Sequence, residues 1–338
     1  MTRFSLPIAI LATSVATSSF AAQGAAVHYR LTQIVPDTPA STVLASDLNE
    51  RNQVVGSVQD SSGRDHAFAW SGGVLTNLAP RLDPASTGSR AVGSNDRGDV
   101  VGFFFDANGA TANFLLRRDQ VTRIDGLPGA IDTGVADVND RRQIIGNAFF
   151  DDGSSRAFIW ENGDVMQLPP LDGDTSATAV AFNEGGITLG TSAGTAQHVV
   201  IWEDAAAVDL NIPGAVPRDI NDREQVTGTL QRHGFLWDHG KVVDLPTLGG
   251  AVITQAASLN DAGEIVGTSS LETGPRATLW EDTHVFDLNE LIRSNDPLRT
   301  FVSLEDAASI NDGGAIVATG RDSRFPNELR TYLLTPVR

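Results

Sequence analysis

One phrase, Asp-Leu-Asn-Glu-Arg-Asn-Gln-Val-Val-Gly at 47–56, returns in variant form six more times along the chain, and this recurrence constrains the fold more than any other feature. Its anchoring residues are Asn49, Asn95, Asn139, Asn183, Asn221, Asn260 and Asn311, separated by 46, 44, 44, 38, 39 and 51 positions. That spacing is the period of a four-stranded propeller blade, about 40–50 residues. A second landmark runs in phase with the first. All five tryptophans, Trp70, Trp160, Trp202, Trp237 and Trp280, occupy one column of the repeat, and Leu116 and Leu334 fill it in the other two copies. An aliphatic residue follows eight positions after each of the first six: Leu78, Ile124, Leu168, Leu210, Leu245 and Leu288. Length varies before the Trp column and never between it and that aliphatic, which is how a hairpin differs from a loop.

Each copy resolves into four short apolar runs separated by turn residues. In the first copy these are Ala45–Leu48, Gln53–Val58, His66–Ser71 and Val74–Ala79. The residue three after the anchor is Asn52, Gly98, Gly186, Gly263 or Gly314 in five copies, types that suit a positive φ; Arg142 and Glu224 depart from them. Small residues, Ala45, Ala91, Ala179, Ala256 and Ala307, open the first run, as a crowded inner strand requires. Four-stranded sheets cannot bury both faces alone, whereas a radial array packs each on two neighbours. The expected fold is therefore all-β, a single seven-bladed β-propeller of four-stranded blades. The last copy has only three runs, and His28–Pro36 has the character of the missing fourth. The N-terminal strand is thus expected to close the last blade.

The start of the chain reads differently. Arg3, an apolar run from Phe4 to Ala16, and Ser19-Phe20-Ala21 form the pattern of a secretory signal peptide. The expected division is a leader at 1–21 and a propeller domain at 22–338, with a periplasmic or extracellular destination in a bacterium. The leader is too short to span a bilayer, and no other stretch approaches that length. The chain has no Cys, so its stability rests on a core and hydrogen bonds even in an oxidising compartment. Acidic residues exceed basic ones 42 to 24, and no basic run tracks a phosphate backbone. Nucleic acid is not an expected partner. A monomer without cofactor or metal is the expectation.

The stretches His-Ala-Phe-Ala-Trp at 66–70, Arg-Ala-Phe-Ile-Trp at 156–160 and His-Gly-Phe-Leu-Trp at 233–237 resemble the extracellular HAF repeat family. So do the Asp-Leu-Pro-Thr-Leu-Gly-Gly stretch at 244–250 and the Asn-Asp-x-Gly-x-Ile-Val-Gly phrase. The resemblance covers essentially the whole chain after the leader. It implies export and a repeat architecture, and no activity.

Several constellations invite chemistry. Asp47-x-Asn49 and Asp137-x-Asn139 begin like an oxygen-ligand loop for calcium, but Arg51, Arg141 and Arg223 stand where a further oxygen is needed, which favours a hydrogen-bonded turn. The basic column four before the Trp, His66, Arg156, His198, His233, Arg276 and Arg330, reads as structural capping or aromatic stacking. Asp47, Asp137 and Asp219 are acids repeated in register in blades 1, 3 and 5, and they are candidates to line the central channel. On the face that carries the loops between second and third strands, Phe104, Phe105 and Asp106, then Phe149, Phe150, Asp151 and Asp152, suit stacking on a sugar ring with carboxylates accepting its hydroxyls. The leading expectation is an exported non-catalytic recognition module presenting that face to a glycan or protein. The alternatives are a structural or cell-surface interaction protein without a small ligand, and a glycan hydrolase or lyase using acids near the channel. The connections at Arg81–Arg90 and Asn289–Asp306 break the pattern, with a short helix expected at Asn289–Arg293.

Overall fold

The computed structural model describes residues 27–35 and 42–337; the leader expected at 1–21 lies outside them. The fold is a seven-bladed β-propeller, each blade a four-stranded antiparallel meander. Blade 1 comprises Val43–Leu48, Val54–Gln59, Asp65–Ser71 and Val74–Asn77, from the axis outwards. In blade 7 the strands Val302–Ile310, Ile316–Asp322 and Phe325–Val337 are joined at the outer edge by His28–Gln33, which pairs antiparallel from His28↔Val337 to Gln33↔Tyr332. The ring is therefore closed by the N-terminal strand.

The long connection between blades 6 and 7 secures that strand. Residues 289–293 form turns and not the expected helix, because their backbone pairs sideways with the closing strand. Tyr29 N–H donates to the Leu291 carbonyl at 2.9 Å, and Arg293 N–H donates to the Tyr29 carbonyl at 3.0 Å. Asp296, itself buried, accepts the Leu31 N–H at 2.9 Å. An edge that would otherwise offer unpaired amides is thus covered. The one helical turn among the described residues, Ala79–Leu82, lies instead in the connection after blade 1.

The core lies between blades. Each tryptophan points back at the preceding blade: Trp160 packs with Val101 and Leu115, Trp202 with Ile145 and Ala157, and Trp280 with Leu245. Trp202 Nε1 donates to the Pro169 carbonyl and Trp280 Nε1 to that of Pro246, both at 2.7 Å, so the indole also ties down the chain leaving the previous blade.

The innermost strands share a defect. All seven carry a register shift two to four residues before the anchoring Asn, as between Ala45 and Asp47 or Ala179 and Ala181. This β-bulge bends the strand and thrusts a carbonyl onto its neighbour. The second strand answers with glycine: Gly56, Gly102, Gly146, Gly190, Gly228 and Gly267 each face a bulge carbonyl too closely for any Cβ.

Candidate functional site

The repeated phrase builds two belts around the axis on one face. In every copy the residue three after the Asn has a positive φ, Arg142 at 64° and Glu224 at 60° included, so the turn is invariant where the residue type is not. The Asn Oδ1 accepts the N–H four residues on in all seven blades, which fixes the turn. The Asn Nδ2 donates to the backbone carbonyl of the next blade's Asn at six junctions, from Asn49 to Asn95 at 2.8 Å round to Asn311 and back to Asn49 at 3.0 Å. With Asn Oδ1 and Nδ2 both committed in this way, the hydrogen-bonded turn accounts for the column without a metal.

Directly after each Asn stands an acid: Glu50, Asp96, Asp140, Glu184, Asp222, Asp261 and Asp312. Each carboxylate accepts the backbone N–H of the corresponding acid in the preceding blade. The belt runs from Glu50 N–H on Asp96 at 2.9 Å to Asp312 N–H on Glu50 at 2.8 Å, and it closes. Sequence reasoning reached the Asn but not this carboxylate ring, although an acid at one position in all seven copies is more than a turn needs.

Below the ring, Asp47, Asp137 and Asp219 sit on the wall of the axial channel. They line a mouth of about 200 Å³ and a second cavity of about 150 Å³. No Lys, Arg or His among the described residues lines either one. All three are held by backbone: Asp47 Oδ2 accepts Ser94 N–H at 2.8 Å, Asp137 Oδ1 accepts Val138 N–H at 2.7 Å, and Asp219 accepts Ile220 and Leu259 N–H at 2.8 and 3.0 Å. They brace the bulged strands of neighbouring blades. Gly93 leaves the room Asp137 occupies, since a Cβ there would stand 2.9 Å from its Oδ1.

Crowding these acids has an electrostatic consequence. Burial raises the carboxyls of Asp47 and Asp137, with neighbouring acids adding to it, and pushes Asp219 up to about 6. Burial, and then the adjoining carboxylates, also raise Glu50, Asp96, Glu184 and Asp312. Each binds its proton more tightly in the folded chain than in the unfolded one, so folding is favoured as pH falls into this range and disfavoured as pH rises through the folded values. Asp60, Asp152, Asp238 and Asp322, held low chiefly by hydrogen bonds from Ser62, Ser154, His239 and Arg324, act in the opposite sense below about pH 4. The melting temperature is expected to be higher at pH 5 than at pH 8 by roughly 5 °C. Scanning calorimetry of the chain and of Asp137→Asn, which should flatten the slope, checks this; a rise in stability toward pH 8 refutes it.

The opposite face carries the aromatic candidates, and the structure separates them. Phe104 is 3% exposed and packs on Phe114 in the core shared with blade 1, so it is no part of a surface platform. Alternation along the strand is the reason: Phe103 and Phe105 face one side and Phe104 the other. Phe105 is 38% exposed and lies on the blade 3 side, where Asn113 of the adjoining strand bonds Thr133 and Val135. Phe150 is partly buried in the cluster between blades 2 and 3, with Arg156 stacked 4.3 Å from its ring centre. Phe149, 43% exposed, faces the other way, toward blade 4. Asp106 and Asp152 cap their own turns through the N–H groups of Asn108, Ala110 and Ser154, and Asp151 is exposed. Between blades 2 and 3 a groove of about 510 Å³ is lined by Thr111, Asn113, Arg123, Asp125, Ile131 and Asp132, among others. In the basic column, His66 pairs with Asp60 at 2.9 Å, His198 with Asp209 at 3.0 Å and Arg276 with Asp287 at 3.5 Å.

No family model matches this chain, and no curated protein matches it. Solved structures do. Virginiamycin B lyase from Staphylococcus aureus aligns with a TM-score of 0.55 at 9% identity, over 92% of this chain and all of that one. A prolyl endopeptidase aligns at 0.57 and 9% identity over 92% of this chain, which spans about half (51%) of that structure. The propeller domain of the trilobed protease from Pyrococcus furiosus aligns at 0.52 and 11% identity, over 86% and 95% of the two chains, and is described as having an open velcro topology. At such identities the likeness shows the propeller fold alone. Among the described residues no helix is long and apolar enough to cross a membrane.

Proposed function

We propose that the chain is an exported, non-catalytic recognition module that takes a glycan in the groove between blades 2 and 3. The observation that carries this reading is a groove whose wall holds exposed Ile131 with Asp125 and Asp132, flanked by Phe105, 38% accessible and the cross-strand partner of the lining residue Thr111. An apolar ring face stacks on the C–H face of a sugar while carboxylate groups accept from its hydroxyls. The channel acids support the non-catalytic part. Asp47, Asp137 and Asp219 each accept a backbone N–H of the bulged strands, which gives them a bracing role in the fold.

Residues 22–338 applied to a broad glycan array are expected to give a defined set of hits, independent of calcium. Phe105→Ala should weaken them at least about tenfold, since stacking platforms concentrate binding energy in few residues. Retained binding in Phe105→Ala removes the groove from the reading. A blank array moves the ligand from glycan to protein.

A further inference from the structure

The Trp column has one position that the fold leaves open. Five blades insert an indole against the preceding blade, but blade 2 has Leu116 there. In blade 7, where Leu334 replaces the indole, Leu288, Leu291 and Ile292 of the long connection share its cluster. Blade 2 has only the helical turn Ala79–Leu82, whose Leu82 joins the same core. A cavity of about 250 Å³ remains between blades 1 and 2, on the carboxylate-ring face and lined by Ala69, Val74, Leu78, Val100 and Leu116. Arg81 and Arg118 line it too, with Gln53 and Ser71. Arg81 reaches Asp119 at 3.3 Å; Arg118 has no ion-pair partner among the described residues.

The geometry points to a binding site for a small planar aromatic molecule bearing a carboxylate, of about the size of an indole acid. The shape argument is internal to the protein: in the equivalent space of blades 4 and 6 the indoles of Trp202 and Trp280 are each 1% exposed. Apolar cavities of even about 150 Å³ take up benzene-sized ligands. The charge argument follows from the mouth. In a chain of net charge −18, a pocket lined by Arg118, free of any ion pair among the described residues, beside Arg81 paired to Asp119, and with no carboxylate in its own lining, favours an anion over a cation. The site lies on the opposite face from the blade 2–3 groove and does not depend on the reading of that groove.

The test uses the full propeller, residues 22–338, with indole-3-carboxylate and neutral indole as probes, followed by isothermal titration calorimetry. Saturable binding of the acid is expected, tighter than that of indole by about tenfold, the scale of a charge-assisted pair. Leu116→Trp supplies the missing side chain; it is expected to raise the melting temperature and abolish binding of both probes. Arg118→Gly, acceptable because φ is 54° at this position, should reduce affinity for the acid toward that for indole and leave indole unchanged. If Leu116→Trp does not fold, the Arg118→Gly comparison decides. Absence of saturation by either probe at millimolar concentration overturns the proposal, as does undiminished binding by a folded Leu116→Trp.

Discussion

Deletion of residues 28–33 is expected to lower the melting temperature by roughly 10–20 °C, the largest loss available from so short a segment. The strand contributes Tyr29 and Leu31, 1% and 6% exposed, to the core between blades 6 and 7. Burying two such side chains stabilises by about 1.5–3 kcal/mol each. Its removal also uncovers the edge of the last blade and strips Asp296 Oδ2 of the Leu31 N–H, leaving only the Leu298 N–H on Oδ1, which costs about 1–3 kcal/mol more. For a domain of this size about 1 kcal/mol corresponds to roughly 2–4 °C. Asp296→Ala serves as a graded companion, expected to show a fraction of the loss through the orphaned Leu31 N–H. Thermal melts followed by near-ultraviolet circular dichroism read both. A deletion variant that melts with the intact protein would mean that the ring holds with its last blade one strand short.

The features legible in the sequence were those that repeat in residue type. The Asn anchors and Trp column gave blade number and strand order, and the unpaired last copy gave the closure, because each reflects a local turn or a single packed side chain. Features carried by the backbone were legible only in part. Arg142 and Glu224 adopt the same left-handed turn as the glycines, so the Asn Oδ1 cap overrides residue preference there. The carboxylate ring was in plain view as seven acids in register, but its meaning depends on an amide in the neighbouring blade, 38 to 51 residues away along the chain except where the ring closes. Among the aromatics, three consecutive phenylalanines on one strand cannot share a side, and strict alternation identifies Phe104 as the inward one. The helix expected at 289–293 failed because apolar spacing cannot reveal that a backbone will pair with a strand some 260 residues earlier.

The glycine seven positions after the anchoring Asn is the most sensitive position of that kind, and Gly190→Ala is expected to cost about 3 kcal/mol or more, lowering the melting temperature by roughly 6–12 °C. Its φ is not in the left-handed region, so the constraint is space. An added Cβ would fall well inside van der Waals contact distance of the Thr178 carbonyl oxygen, which the bulge drives inward, and 2.7 Å from Cζ3 of Trp202. Neither neighbour can retreat: Thr178 is held in the innermost strand, and Trp202 is 1% exposed with its Nε1 tied to Pro169. Gly134→Ala is the matched control, a strand glycine with no atom within 4 Å of a built Cβ, and it should be neutral or slightly stabilising. Blade 7 supplies a natural version of the same experiment. There Ala318 stands in the glycine column, the innermost strand carries two register shifts in place of one, and the crowded position moves to Gly320, beneath the Ser303 carbonyl. Gly320→Ala is therefore expected to be as damaging as Gly190→Ala although it lies outside the repeat phrase. Equal, small losses for Gly190→Ala, Gly320→Ala and Gly134→Ala would show that the bulge carbonyls yield, and that the column is maintained for some reason other than contact.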